Sequence, residues 1–523
     1  MTHKPAGLIG LLLALAACAP TINLQAHRNP SYAKPQSMAG ALHEDVTKQL
    51  AGAQSGFYLL ETGLQALSAR LWLAQHATHT LDVQYYLFHG DSTGQLVAEA
   101  LLAAADRGVR VRVLLDDIHT SNEEAEIAAL DAHPNIEIRL FNPFRTRNGN
   151  MAVKAWQFVA EGDRLNRRMH NKAFIADNQI GITGGRNIGD EYFQASRELA
   201  FLDLDVAAAG GIVDALSHSF DAYWNSEAVV PAAVLHGKDD ALHLTSLRGQ
   251  LKQHRNTAMA GEYGRQLATE DPMPGLASGK TRWQVADADL IVDPPEKALG
   301  ENDEVSKLLV GQLAGLWLDP KQSALIVSPY FVPGRIGMEY FSYWRSHGVQ
   351  VDVLTNAYAA SDVPLVHAGY ANYRVPLLEI GVGLYELKPL PNRATTKRKK
   401  LPSGSSRASL HAKTFIFDRQ HVFIGTFNFD PRSALLNTEM GLVIHSLELA
   451  QQVERIVRNA MSLDHSYRVQ LLSEVTRDGI QKRLQWQGND QGQLRTLDQE
   501  PETTYWQRSL LQMLQTLPFE EHL

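Results

Sequence analysis

One pattern occurs twice in this chain: a His, a Lys two residues on, an Asp five after that and an Asn ten after the Asp. The first instance is His170, Lys172, Asp177 and Asn187, and the second is His411, Lys413, Asp418 and Asn428. Each member is displaced by 241 positions (170 to 411, 187 to 428). Other landmarks keep nearly that interval. Residues 81–88, an amphipathic run with Val97, Leu101 and Ala104, and residues 107–115 with Gly108 spell strand, helix, glycine stop and strand. Residues 324–331, a run holding Phe341 and Trp344, and residues 347–354 with Gly348 spell it again. Residues 136–143 are matched by 382–389. The apolar stripes Ile212/Leu216/Phe220/Trp224 and Val453/Ile456/Val457/Met461 close the two copies as amphipathic helices. A repeat of this length, built from βαβ units, restricts the chain to two copies of one α/β domain.

Composition narrows the function. At 523 residues, 44% hydrophobic and 20% charged, the chain has the make-up of a globular protein with two or more cores. Lys+Arg 49 against Asp+Glu 57 leaves a net charge of −8, so no global basic field draws it to nucleic acid, and an anionic ligand needs a local cationic pocket. Cys18 is the single cysteine, which excludes an internal disulfide and any cysteine-cluster metal site. It follows a basic start (Met1-Thr2-His3-Lys4) and a short apolar run in the order Leu15-Ala16-Ala17-Cys18, which resembles the bacterial lipobox. The expectation is a membrane-anchored bacterial lipoprotein facing the periplasm, acylated at Cys18, with a polar, Pro-containing tether behind it. No later segment has the uninterrupted apolar length of a spanning helix. The expected division is 1–17 signal peptide, 18–54 tether, 55–234 first lobe, 235–300 a surface insert, 301–465 second lobe and 466–523 a C-terminal hairpin and helix turning at Gly488-Asn489-Asp490.

The doubled motif carries the chemistry. Read as strands, the two motifs place His170 with Lys172, and His411 with Lys413, on one face each, and the glycine-containing return strands bring Asn187 and Asn428 alongside. Two imidazoles, two ammoniums and two amides suit a phosphodiester. Lysines and amides hold the non-bridging oxygens. One neutral His attacks phosphorus while a protonated His on the far side donates to the leaving alkoxide. No carboxylate or cysteine stands at ligand spacing with these histidines, and a neighbouring Lys repels a dication, so no metal and no cofactor are expected. Asp177 and Asp418, at the head of turns, read as structural anchors.

These residues resemble the paired HxKxxxxD motifs of the phospholipase D superfamily, over residues 55–523. The resemblance implies an α/β fold of two pseudo-twofold-related lobes, each a mixed sheet flanked by helices, with one active site at their interface and a phosphohistidine intermediate. It makes His170 the nucleophile and His411 the general acid/base, roles that the residues alone leave interchangeable. Each His needs a carboxylate to fix its tautomer. Asp203, with Asp205 as the alternative, and Glu439 occupy the acidic position that follows the motif in family members, where the acid of one half serves the His of the other. Residues 168–172, 184–193 and 362–370 further resemble bacterial cardiolipin synthases of the C type. That implies phosphatidyl transfer to phosphatidylglycerol, with phosphatidylethanolamine a candidate donor, at a membrane and without nucleic acid. The alternatives are a phospholipase D hydrolase giving phosphatidic acid, a periplasmic nuclease on the same chemistry, and a non-enzymatic lipoprotein scaffold.

Other residues stay subordinate. His367 reads as an exposed helical His or a pocket wall. The basic segment Arg393, Lys397, Arg398, Lys399, Lys400 and Arg407, and with it Arg164, Arg167 and Arg168, reads as a solvated loop or a contact for anionic headgroups. Tyr85, Tyr86, Tyr330 and Phe331 end strands beside the expected cleft and read equally as core or as substrate contacts.

Overall fold

The computed structural model describes residues 29–35, 41–50, 55–145, 157, 160–196, 199–236, 241–271, 273, 283–300, 304–316, 320–391, 407–476 and 479–516. Cys18 and the basic residues 393–400 lie outside the described residues.

Three parallel strands form the centre of the first lobe: Thr80–Tyr85, Arg110–Asp116 and Ile136–Phe141. They are rich in Val, Ile and Leu and almost wholly buried, as strands covered on both faces must be. The helix Ser92–Asp106 makes the crossover between the first two. Asp91 caps its N-terminus by accepting from the Gly94 amide, and Gly108, at φ +93°, supplies the left-handed turn into the next strand. Past Thr80–Tyr85 the sheet turns antiparallel through Ala173–Ala176, Ile180–Gly184, Asp205–Gly210 and Ser55–Leu60.

The second lobe repeats this order, with Ser323–Val327, Gln350–Asn356 and Gly383–Leu387 parallel, then Lys413–Phe417, His421–Gly425, Met440–His445 and Gln284–Val292 antiparallel. Gln284–Val292 pairs on one side with Met440–His445 and on the other with Ser55–Leu60 of the first lobe. The two halves are thus one 18-stranded sheet. A single apolar cluster spans them as well, with Phe57, Ile175, Leu216 and Phe220 from one lobe against Ile416, Ile424, Leu442 and Val453 from the other.

Three sequence expectations are corrected. Residues 235–300 are not a surface insert. The helices Ala241–Ala260 and Glu262–Thr269 put Leu247, Leu251 and Leu267 into the first-lobe core, and Gln284–Val292 is the strand that joins the lobes. That strand alternates half-buried and exposed positions, and Asp287 and Asp289 on its open face disguise it as polar loop. The C-terminal hairpin is built into the second sheet: Ser466–Thr476 pairs with Gly383–Leu387 and with Gly479–Asp490. Its second turn falls at Gln491-Gly492, both at positive φ, and not at 488–490, because Gly488 is packed under Tyr467 and Lys388. Finally, His170, Lys172 and His411 stand ahead of the strands Ala173–Ala176 and Lys413–Phe417, with only Lys413 a strand residue. There the chain has left its own sheet to bond across the lobe interface.

Candidate active site

Each histidine is pinned by main chain to the opposite lobe. The His170 amide donates to the Thr438 carbonyl at 2.9 Å, and the His411 amide donates to the Leu202 carbonyl at 2.8 Å. The residue before each is held by the end of a central strand of its own lobe. Asp116 accepts from the Met169 amide at 2.9 Å, and Asn356 accepts from the Leu410 amide at 2.9 Å. Arg168 pairs with the same Asp116 at 3.3 Å and is buried, so it is part of this support and not a headgroup contact. Arg164 turns to Glu161 and Pro143, and Arg167 to carbonyls of Lys297 and Leu435, which makes them loop and interface contacts too.

The carboxylates are crossed between the lobes. Glu439 Oε2 lies 2.8 Å from His170 Nδ1, and Asp203 Oδ2 lies 2.6 Å from His411 Nδ1. A carboxylate can only accept, so each ring donates from Nδ1 and keeps Nε2 for chemistry. Asp205 is bound elsewhere, to Arg70 at 2.8 Å. Around the carboxylates the pseudo-symmetry breaks. The Thr426 hydroxyl donates to the same Glu439 oxygen that holds His170. In the first lobe that position is Gly185, where a Cβ would stand 2.1 Å from Asp203 Oδ1, and that oxygen accepts from the Leu204 amide instead.

Lys172 Nζ donates to the His170 carbonyl at 2.7 Å; Lys413 Nζ donates to the His411 carbonyl and lies 3.1 Å from His411 Nε2. All four side chains are buried. Asn187 is buried beside them, its Nδ2 donating to the Tyr192 hydroxyl at 2.9 Å, and the Oδ1 of buried Asn428 has no hydrogen-bond partner among the described residues. Tyr86 stands edge-on to His170 and Tyr192 to His411, each with ring centroids 5.1 Å apart.

Burial sets the electrostatics. It lowers Lys172 to about 7 and Lys413 to about 8, and it pushes Glu439 up to about 7. His170, buried and near both lysines, falls well below 6.5, and His411 falls to about 4 for the same reasons. Burial alone would raise Asp203, yet His411, Lys413 and Arg186 outweigh it and hold that carboxyl down. The site therefore holds neutral imidazoles, one beside a firmly ionised carboxylate and the other beside a carboxyl poised near neutrality.

The remaining expectations divide. Asp177, at φ +53°, accepts from the amides of Thr78, His79 and Thr80, and Asp418, at φ +51°, from those of Lys321, Gln322 and Ser323. Each fastens its turn to the start of the neighbouring strand. His367 is neither exposed nor a pocket wall. It is buried against Glu500 at 3.2 Å, beside an Arg374 that bridges Glu500 and Glu386, because the C-terminal segment folds back over its helix. Tyr85 and Phe331 are core. Tyr86 is the one of the four strand-end aromatics that meets a motif histidine, whereas the sequence does not single out Asp116, Asn356, Thr426 and Tyr192 as site residues. The repeat held the signal for three of them, since 116 maps to 356 by nearly the same interval and 185 to 426 by the same one.

Two facing lobes with crossed His–carboxylate pairs and two lysines are an arrangement that can carry an in-line phosphoryl transfer. Residues 72–224 and 318–461, one stretch per lobe, match the family model described as cardiolipin synthase, PLD-like domain. The chain belongs to this phospholipase D-like family. It is 41% identical to cardiolipin synthase C of Escherichia coli (strain K12) over 467 residues, 89% of this chain and 96% of that protein. Cardiolipin synthase of Staphylococcus aureus (strain Mu50) is 23% identical over 414 residues, 79% of this chain and 67% of the relative. Among solved structures, phosphatidylserine synthase of Haemophilus influenzae Rd KW20 superposes with a TM-score of 0.53 at 13% identity, covering 82% of this chain and 91% of that one, a likeness of fold.

Proposed function

We propose that this phosphatidyltransferase makes cardiolipin, passing a phosphatidyl group to phosphatidylglycerol through a phosphohistidine on His170. The crossed pairs His170–Glu439 and His411–Asp203 carry the reading. Neutral His170 Nε2 attacks phosphorus, forming a P–N bond. The P–O bond to the departing headgroup breaks on the opposite side, and His411 Nε2 gives that oxygen a proton. The ionised Asp203 stabilises the imidazolium this requires, and the substrate's own negative charge raises His411 as it binds. Glu439, poised near neutrality, holds the His170 ring without drawing a second proton onto it. In the second half the glycerol hydroxyl of phosphatidylglycerol loses its proton to His411, its oxygen attacks phosphorus, and the P–N bond breaks. Lys172 and Lys413, with the Asn187 and Asn428 amides, stabilise the charge on the equatorial oxygens.

The further proposals are that Cys18 anchors the chain to a bacterial membrane as a lipoprotein, on the periplasmic face, and that phosphatidylethanolamine serves as a donor. Tethering raises the local concentration of lipid acceptors over water. Among the described residues no helix is long and apolar enough to cross a membrane. The test is mass spectrometry of the products formed by the full chain on mixed vesicles of phosphatidylglycerol and phosphatidylethanolamine. Cardiolipin is expected. Phosphatidic acid alone would make the protein a hydrolase, and cleavage of DNA with the lipids untouched a nuclease.

A further inference from the structure

Four carboxylates bear on the Lys413 ammonium: Asp203, Glu439, Asp362 and Asp430. Asp203, Glu439 and Asp430 are buried, whereas Asp362 is exposed. It lies in the turn that enters the helix Pro364–Ala371, and its Oδ2 accepts from the Tyr330 hydroxyl at 2.8 Å. Tyr330 is a neutral partner, and Asp362 makes no ion pair within 4 Å among the described residues. Tyr330 is half-buried where the strand Ser323–Val327 leaves the sheet, between Ser328, whose hydroxyl accepts from the Phe429 amide at 3.0 Å, and Phe331, which bridges to Phe429, the residue after Asn428. The Tyr192 ring stands edge-on to His411. Glu191, a partly exposed carboxylate beside Tyr192, is turned to His89 at 3.5 Å. Asp362 and Tyr330 thus stand at the solvent edge of the site, on the lobe that carries His411, Lys413 and Asn428.

In-line transfer gives this edge of the site a direction. The attacking nitrogen and the departing oxygen take opposite apical positions on phosphorus, so with His170 attacking, whatever hangs from the departing oxygen extends on the His411 side. We propose that Asp362, oriented by Tyr330, selects the headgroup: its carboxylate binds the ammonium of a departing amino-alcohol in preference to a neutral polyol of similar size. A cation gains a charge-assisted hydrogen bond there that a hydroxyl does not match. The proposal rests on the transferase reading and on its assignment of His170 and His411.

The experiment compares kcat/KM of the full chain for phosphatidylethanolamine and for phosphatidylglycerol as donors, in vesicles with phosphatidylglycerol as acceptor and the donor isotopically labelled. In Asp362→Asn the ratio of the amine donor to the glycerol donor should fall roughly five- to tenfold, chiefly through KM. Tyr330→Phe should move it the same way by less. An unchanged ratio, an equal loss with both donors, or a wild-type enzyme that ignores the amine donor would overturn the inference and leave the transferase reading standing. A wild-type chain that makes no cardiolipin from either donor would overturn both.

Discussion

Glu439 of the second lobe holds the Nδ1 of His170 of the first at 2.8 Å, and the same carboxylate oxygen also receives the Thr426 hydroxyl. Its counterpart in the other pair, Asp203, has no hydroxyl to share because Gly185 stands where Thr426 would. Two histidines related by sequence repetition thus sit in unequal electrostatic surroundings.

That inequality supports the roles proposed for them, and those roles are open to labelling. His170→Ala and His411→Ala should each lower turnover by roughly a thousandfold or more while leaving circular dichroism unchanged, since one removes the nucleophile and the other the proton carrier of both halves. Wild-type protein given phosphatidyl donor labelled in the phosphate and quenched in neutral detergent, where a P–N bond survives, should carry label on His170, and His170→Ala should carry none. Label on any other residue contradicts the order of events.

The acidity of the site should be visible in kcat/KM, which reports the free enzyme. Below about 7 a protonated Glu439 no longer lends its negative charge to the His170 ring, so the rate rises as pH climbs through that value. Lys172 and Lys413 lose their charge as pH rises through about 7 and about 8, so the rate then falls. The expected profile is a narrow bell around pH 7 to 8, and Glu439→Gln should lower the maximum and flatten the acid limb. A plateau reaching the ordinary lysine value of about 10.4 would contradict it.

Gly185→Ala puts a methyl group against Asp203, whose Oδ1 and Cγ would stand 2.1 and 2.7 Å away. The carboxylate must move from His411, and a loss on the order of a hundredfold in kcat with little change in KM is expected. The structurally equivalent Thr426→Val should act on His170 instead, and its mark is a shifted acid limb. Wild-type kcat in Gly185→Ala would mean that Asp203 does not position His411.

Cys18→Ser should move the protein from the membrane to the soluble fraction, because a single acylated Cys is the anchor proposed. Retention after a high-salt wash would place the anchor elsewhere.

Much of this architecture is legible in the sequence because duplication makes each weak pattern occur twice. Lone His-x-Lys strands mean little, while the recurrence at 170 and 411, with Asn187 and Asn428 in step, marks a site. What stays hidden is whatever depends on the lobes meeting. His170 reads as a strand residue until its amide is seen bonded to Thr438, and Arg168 reads as surface charge until Asp116 is seen beneath it. Gln284–Val292 escapes for a related reason: with one open face it presents aspartates, and only its edges, paired with Ser55–Leu60 and Met440–His445, explain it. His367 escapes because its partner Glu500 is 133 residues away along the chain.

The strand Gln284–Val292 has a mechanical consequence. Backbone hydrogen bonds run without a break from one lobe into the other, so the halves cannot swing apart as a hinged pair without tearing a ladder and opening the apolar cluster beneath it. A lipid must therefore reach the histidines by threading between side chains and loops at the rim of a stiff cleft. Heat should melt the two halves together in one transition, and neither half would keep a working site if severed from the other.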